Sequence, residues 1–124
     1  MRRLALAAVA LAVGCRRPPP PPVDDGPIFL DVGDFVQAYK NDASKADARF
    51  RGEIITIAGV ASDVIPGNQR CTVLLRDGTY MKFAESADCP PKGDKVSMRC
   101  LVDYGAKLHQ CETVNVNGKP YKSK

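Results

Sequence analysis

The sequence predicts a mainly β domain: a small, closed, five-stranded barrel in Greek-key order, with one N-terminal α-helix ahead of it. Three observations predict this. Helical spacing of apolar residues occurs in one segment, Val32 to Ala46. After Gly52 the chain turns to β-branched and alternating runs, separated by Pro66-Gly67-Asn68, Asp77-Gly78 and Gly105-Ala106. There are five such runs and the first is long, with a glycine inside it; closing them into a barrel leaves fewer exposed edges than an open sheet, and periodicity alone does not separate a Greek-key barrel of this kind from an SH3-like one.

The chain opens with Met1-Arg2-Arg3, then the unbroken apolar run Leu4–Val13, then Gly14 and Cys15. A basic start, a short apolar core and a small residue before a cysteine form an export signal. The segment resembles the signal of bacterial lipoproteins, in which cleavage before the cysteine is coupled to acylation of its thiol. Ala12 stands where those signals more often carry leucine. Ten apolar residues rise only about 15 Å as a helix, half of what a membrane span needs. A core helix would carry a polar face, and this run has none. An uncleaved or non-lipidated export signal is the remaining alternative.

Arg16 and Arg17 follow, and beside a lipidated Cys15 each would add roughly 1 kcal/mol on an anionic leaflet. Pro18–Pro22 then form a polyproline stretch reaching about 15 Å, a spacer between membrane and domain. The organisation read here is residues 1–14 as signal peptide, 15–27 as lipidated cysteine and Pro-rich tether, and 28–124 as the folded domain. Docking of the prolines to an SH3-like partner is the competing reading for a tether of this composition.

Charge excludes more than it proposes. The formal net charge is +4, but Arg2, Arg3, Arg16 and Arg17 precede every acidic residue. Without those four the 18 basic residues become 14, against 14 acidic ones, so the domain from Val23 onward is neutral. A neutral domain lacks the phosphate-neutralising excess that non-specific nucleic-acid binding requires.

The helix is expected from Asp31, a plausible N-cap with Asp34 three residues on, through Val32, Phe35, Val36, Tyr39, Ala43 and Ala46 to Phe50, ending at Gly52. Glu53–Ile65 is the long first strand, and Gly59 in its middle suits a bulge or sharp coil. Cys71–Arg76 and Thr79–Ala84 flank the Asp77-Gly78 hairpin signal, which would pair Val73 with Lys82, Leu74 with Met81 and Leu75 with Tyr80. Lys95–Val102 and Lys107–Val116 complete the set.

Tyr39 to Asp42, Lys45 to Gly52 and Ile57-Ala58-Gly59-Val60 resemble the bacterial tRNA_anti-like family, whose domains are OB-folds. Lys92 to Val96 and Leu108 to Cys111 match its later strands, so the resemblance covers about residues 35–114. It implies an OB-fold-like Greek-key barrel; its motifs are structural and carry no activity. An OB-fold commonly holds a helix between its third and fourth strands, where residues 85–94 leave room for one turn; the N-terminal helix then covers the barrel instead.

Once Cys15 is assigned to lipid, Cys71, Cys89, Cys100 and Cys111 remain, an even set that reads as a disulfide framework in an exported domain. Four cysteines allow three connectivities; if Gly105-Ala106 is the turn between the last two strands, Cys100 faces Cys111, which favours that pair and leaves Cys71 with Cys89 by elimination, without settling the connectivity. The gaps of 18, 11 and 11 positions do not fit the paired-cysteine spacing of a zinc site. No Cys-x-x-Cys, triad or phosphate loop occurs, and His109 is the only histidine. The expectation is a non-enzyme with no metal and no cofactor.

OB barrels bind over their second and third strands. Arg76, Tyr80, Lys82 and Tyr104 are therefore the candidate ligand-binding residues, with Leu74, Met81 and Phe83 expected on the core face of the hairpin, unless that parity is reversed. The functional expectation is a lipid-anchored cell-envelope adaptor facing the periplasm, held at the outer membrane. That last placement rests on a resemblance: Arg16 after the lipidated cysteine is similar to outer-membrane sorting signals. Its partner would be a protein or a glycan; single-stranded nucleic acid and a ligand-free structural spacer are the alternatives.

Overall fold

The computed structural model describes residues 28–122. The expected signal segment 1–14, Cys15 and the proline stretch lie outside the described residues. The domain opens with a short strand, β1 (Ile28–Asp31), and two helices, α1 (Val32–Asn41) and α2 (Ala43–Phe50). The barrel strands follow: β2 (Ile54–Pro66), β3 (Cys71–Asp77), β4 (Tyr80–Ser86), β5 (Lys95–Asp103) and β6 (Lys107–Val116), with a two-residue β7 (Lys119–Pro120). Hydrogen bonding runs β2-β3-β4-β6-β5 and returns from β5 to β2, closing a five-stranded barrel.

The single expected helix is two. Asp42 sits between them with φ of −159°, and its carboxylate accepts from the Lys45 N–H at 3.1 Å. An aspartate that can cap a helix competes with continuing one, so the periodic pattern stays intact while the backbone breaks. Phe35 of α1 and Phe50 of α2 pack with ring centroids 5.5 Å apart, and both are fully buried with Val32 and Ala46. This helical pair covers the barrel where residues 85–94, which form no helix, do not.

Asp31 occupies the N-cap position of α1 but makes no capping hydrogen bond. The Gly33 N–H donates instead to the Asp77 carboxylate, 3.3 Å away at the end of β3. A Cβ on Gly33 would stand 2.6 Å from that oxygen, so the glycine lets the two elements meet. Gly59 has the same kind of role inside β2: a Cβ there would lie 3.1 Å from both the Arg76 carbonyl oxygen and a Val32 methyl. The bulge itself falls just beyond, between Ala61 and Asp63.

The core is made of Ile55, Ile57, Val73, Leu75, Val96, Met98, Val102 and Leu108, closed by the helix aromatics. β1, absent from the sequence expectation, pairs in parallel with Ile55–Ala58 of β2. No helix among the described residues is long and apolar enough to cross a membrane.

Both expected disulfides are present, Cys71 with Cys89 and Cys100 with Cys111. The register that brings the second pair together differs from the expected one. The β5–β6 turn is the three-residue Tyr104–Ala106, which sets Leu101 opposite His109 rather than Gln110. Gln110, with φ of 53°, is the extra residue of a bulge that restores the other register, so that Arg99 faces Glu112. Two irregularities compensate, and the Cys100 and Cys111 Cα atoms end 4.1 Å apart.

Candidate binding face

The β3–β4 hairpin departs from expectation in register and in which face it buries. Gly78 and Thr79 form the two-residue loop, so Asp77 pairs with Tyr80, Arg76 with Met81, Leu75 with Lys82 and Leu74 with Phe83. Gly78 takes φ of 64° at the first loop position, as hairpin loops with glycine first require. Asp77 is thereby freed to serve the helix cap described above.

The inward residues are Cys71, Val73 and Leu75 on β3, with Ala84 and Ser86 on β4. The larger Met81 and Phe83, expected in the core, point outward and are 46% and 55% exposed. Size explains the reversal. Between Ile57, Met98 and Leu108 the barrel accepts the small Ala84 and Ser86 from β4, while Tyr80 and Lys82, on the same parity, lie at its α1 end, and the alternation turns Met81 and Phe83 to solvent.

The outer face therefore has an apolar centre of Leu74, Met81 and Phe83, with Ile65 of β2 beside it, opposite Thr72. Arg76 is exposed on this face and its guanidinium donates to the Met81 sulfur at 3.4 Å. At the far end Arg70 and Glu85 form an ion pair at 3.8 Å. A groove of about 420 Å³ runs beside β4, walled by Met81, Lys82, Phe83, Gly105, Lys107 and Leu108. Across Met81 and Lys82 a second notch of about 260 Å³ opens toward α1, lined by Phe35, Val36, Tyr39, Lys40 and Ala106.

The four candidate residues are divided among these surfaces. Arg76 belongs to the outer face. Tyr80 turns toward α1, where its hydroxyl accepts from the Gln37 amide at 2.8 Å and Lys40 Nζ lies 5.7 Å from its ring. Lys82 is half-buried between groove and notch, and burial lowers its pKa from the usual lysine value. Tyr104 is 70% exposed on the β5–β6 turn, with the Arg51 guanidinium 5.0 Å from its ring. Met81, Phe83, Lys40 and Lys107 belong to the same surfaces without having been singled out. Alternation had placed Met81 and Phe83 together on one face, but the face that turns inward depends on the barrel's interior volume. Lys40 and Lys107 carry no sequence signal, because their proximity to Met81 is entirely tertiary.

His109 lies elsewhere, half-buried beside a polar cleft of about 440 Å³ that includes Arg70, Glu85 and Glu112. Its Nε2 is 3.4 Å from the Asp103 carboxylate but outside hydrogen-bond alignment. Among the described residues no three His, Cys, Asp or Glu side chains gather as a metal site.

The closed barrel with strand order β2-β3-β4-β6-β5 is OB-fold-like, and it leaves a partly apolar surface exposed over its second and third strands. The tRNA_anti-like family model matches residues 24–109, more than half of the chain, and the chain belongs to that family. Among solved structures it is similar to the crystal structure of "a putative aspartyl-tRNA synthetase from Leishmania major Friedlin", at 10% identity and a TM-score of 0.53. That match covers 97% of this chain and only 27% of the other, and at such low identity it shows the fold alone. No curated protein matches.

Proposed function

We propose that this chain is an exported, lipid-anchored binding module whose β3–β4 face engages another protein of the cell envelope, with Cys15 as the acylated residue. The observation that carries the reading is the outward exposure of Met81 and Phe83 around Leu74. Contiguous apolar surface on a small soluble domain marks an interaction site, and methionine adapts to the shape of a protein partner. Two disulfides in a domain of this size support an oxidising compartment. The neutral total charge of the domain and the single exposed aromatic on the face, Phe83, weigh against stacking along a single strand of nucleic acid.

The test has two arms on the full chain in its own cells. Intact mass of the membrane-extracted protein is expected to begin at an acylated Cys15; an intact Met1 overturns the anchor. A photo-crosslinking residue at Glu85 is expected to capture an envelope protein. Capture should vanish with Met81→Asp plus Phe83→Asp and survive Leu101→Asp on the opposite ribbon. Capture indifferent to Met81 and Phe83 removes this face as the binding site.

A further inference from the structure

The barrel is closed unevenly at β4. β4 pairs with β3 along its whole length, but its other edge meets β6 only from Ala84, which pairs with Leu108. Among the described residues, Tyr80–Phe83 has no strand on that side; Met81–Phe83 face the groove walled by Gly105 and Lys107, and Tyr80 turns toward α1. In an antiparallel pair, successive residues direct their backbone groups alternately toward and away from the partner. Tyr80 closes a two-residue loop and bonds back to Asp77, so the N–H groups of Met81 and Phe83 point to the open edge.

The edge is also the place where a neutral domain concentrates positive charge. Lys82 lies on it, Lys107 walls the groove, Lys40 lines the notch, and Arg76 sits cross-strand from Met81. None of these four forms an ion pair among the described residues, and Glu85, the acidic residue of the groove, is engaged by Arg70. Asp77 is engaged by Gly33. The partly desolvated Lys82 ammonium, its pKa lowered by burial, has no carboxylate to offset that cost.

We infer that the open edge of β4 at Tyr80–Phe83 receives an extended acidic peptide segment of the partner protein as an added strand. Strand addition uses backbone groups for affinity and alternate side chains for specificity. An added strand shares the parity of its neighbour, so one face of the segment would meet Met81 and Phe83 and the other would meet Lys82 and Lys40. The segment expected is therefore one in which apolar and acidic residues alternate. This rests on the protein-binding reading above and narrows it to a chemistry.

The probes are a fluorescein-labelled decapeptide alternating glutamate and valine, its lysine–valine counterpart, and an oligothymidylate, each titrated by anisotropy against the full chain. The glutamate peptide is expected to bind, to weaken with added salt, and to lose about tenfold or more in affinity in Lys82→Glu plus Lys107→Glu. Hydrogen exchange is expected to slow at Met81 and Phe83 on binding. Met81→Pro, which deletes an edge donor without touching the β3 ladder, should abolish the protection at Phe83, the amide still readable in that variant. The charge reversals lie outside the core and serve if the proline variant does not fold.

Equal binding of the lysine peptide overturns the inference, as does oligonucleotide binding with the peptides silent, or peptide binding without protection at this edge. If neither peptide binds while crosslinking from Glu85 still depends on Met81 and Phe83, the acidic-strand chemistry fails and the binding module stands. If that crosslink is absent too, both fall.

Discussion

The β3–β4 and β5–β6 ribbons are both antiparallel pairs carrying a disulfide, yet they end in opposite conditions. On β5–β6 opposite charges meet across the ladder, Arg99 with Glu112 at 3.3 Å. Its disulfide crosses mid-ribbon, and β6 is flanked by β5, β4 and β7. On β3–β4 the disulfide leaves from Cys71 at the open end, the ion pair Arg70–Glu85 sits at that same end, and the turn end carries unpaired cations around exposed apolar side chains. The β5–β6 ribbon carries an ion pair across its ladder, whereas the turn end of β3–β4 leaves apolar side chains exposed beside cations that form no ion pair among the described residues. A neutral composition does not make a uniform surface.

The comparison breaks most severely at the staples. Replacing Cys100 and Cys111 together by alanine, or Cys71 and Cys89 together, should each cost about 3 kcal/mol by the loop-closure estimate, read as a lower urea midpoint. If the β5–β6 ribbon is the self-sufficient one, the Cys100–Cys111 loss leaves hydrogen exchange at Tyr80–Phe83 unchanged, whereas the Cys71–Cys89 loss quickens it. The helix cap comes next. Asp77→Ala removes the acceptor for the Gly33 N–H and should cost about 1 kcal/mol, with the turn end of β3–β4 loosening first.

A pH series sharpens the contrast further. Burial foremost, then the charge of Asp47 and a 3.3 Å hydrogen bond to it, push the Tyr39 phenol up to about 12 from 10.0. The folded state keeps its proton where the unfolded chain releases it, so this contribution is whole below pH 10 and is lost as pH rises through 12. Lys82 has the opposite sign: its lowered pKa means stability recovers as pH rises toward 10.5. Tyr39→Phe should flatten the alkaline fall in thermal midpoint, and an unchanged fall removes Tyr39 as its cause. The smallest effect belongs to Arg99 and Glu112. Both are more than half exposed, and a double-mutant cycle should return a coupling of about 0.5 kcal/mol or less.

Much of the architecture was legible beforehand because it depends on local chemistry. Turn dipeptides, the alternation of Lys95–Val102 and Lys107–Val116, and the family motifs in Tyr39–Gly52 marked five strands and a barrel. The hidden parts involved choices between local equals. Asp42 reads equally as the exposed face of one helix and as the cap of a second. Asp77-Gly78 reads as a loop until Gly33 supplies a use for the Asp77 carboxylate. Ile28–Asp31 is too short to announce a strand without β2 to pair with. Of the candidate residues, Arg76 and Tyr104 are exposed while Tyr80 and Lys82 are half-buried. The Tyr80 ring, on the inner face of the hairpin, finds Gln37 within reach, a contact that no spacing in the sequence marks.

The sequence alone determined the order of the five barrel strands after a helical segment, the even set of four cysteines beyond Cys15, and the neutrality of everything after Val23, since these follow from residue type and spacing. Tertiary structure decided which face of the β3–β4 hairpin is wet and which cations stand together. The physical reason is volume: Ala84 and Ser86 fit inside the closed barrel and Met81 and Phe83 do not. With that alternation set, Lys40 and Lys107, remote in sequence, lie beside the edge of β4 that the barrel leaves open.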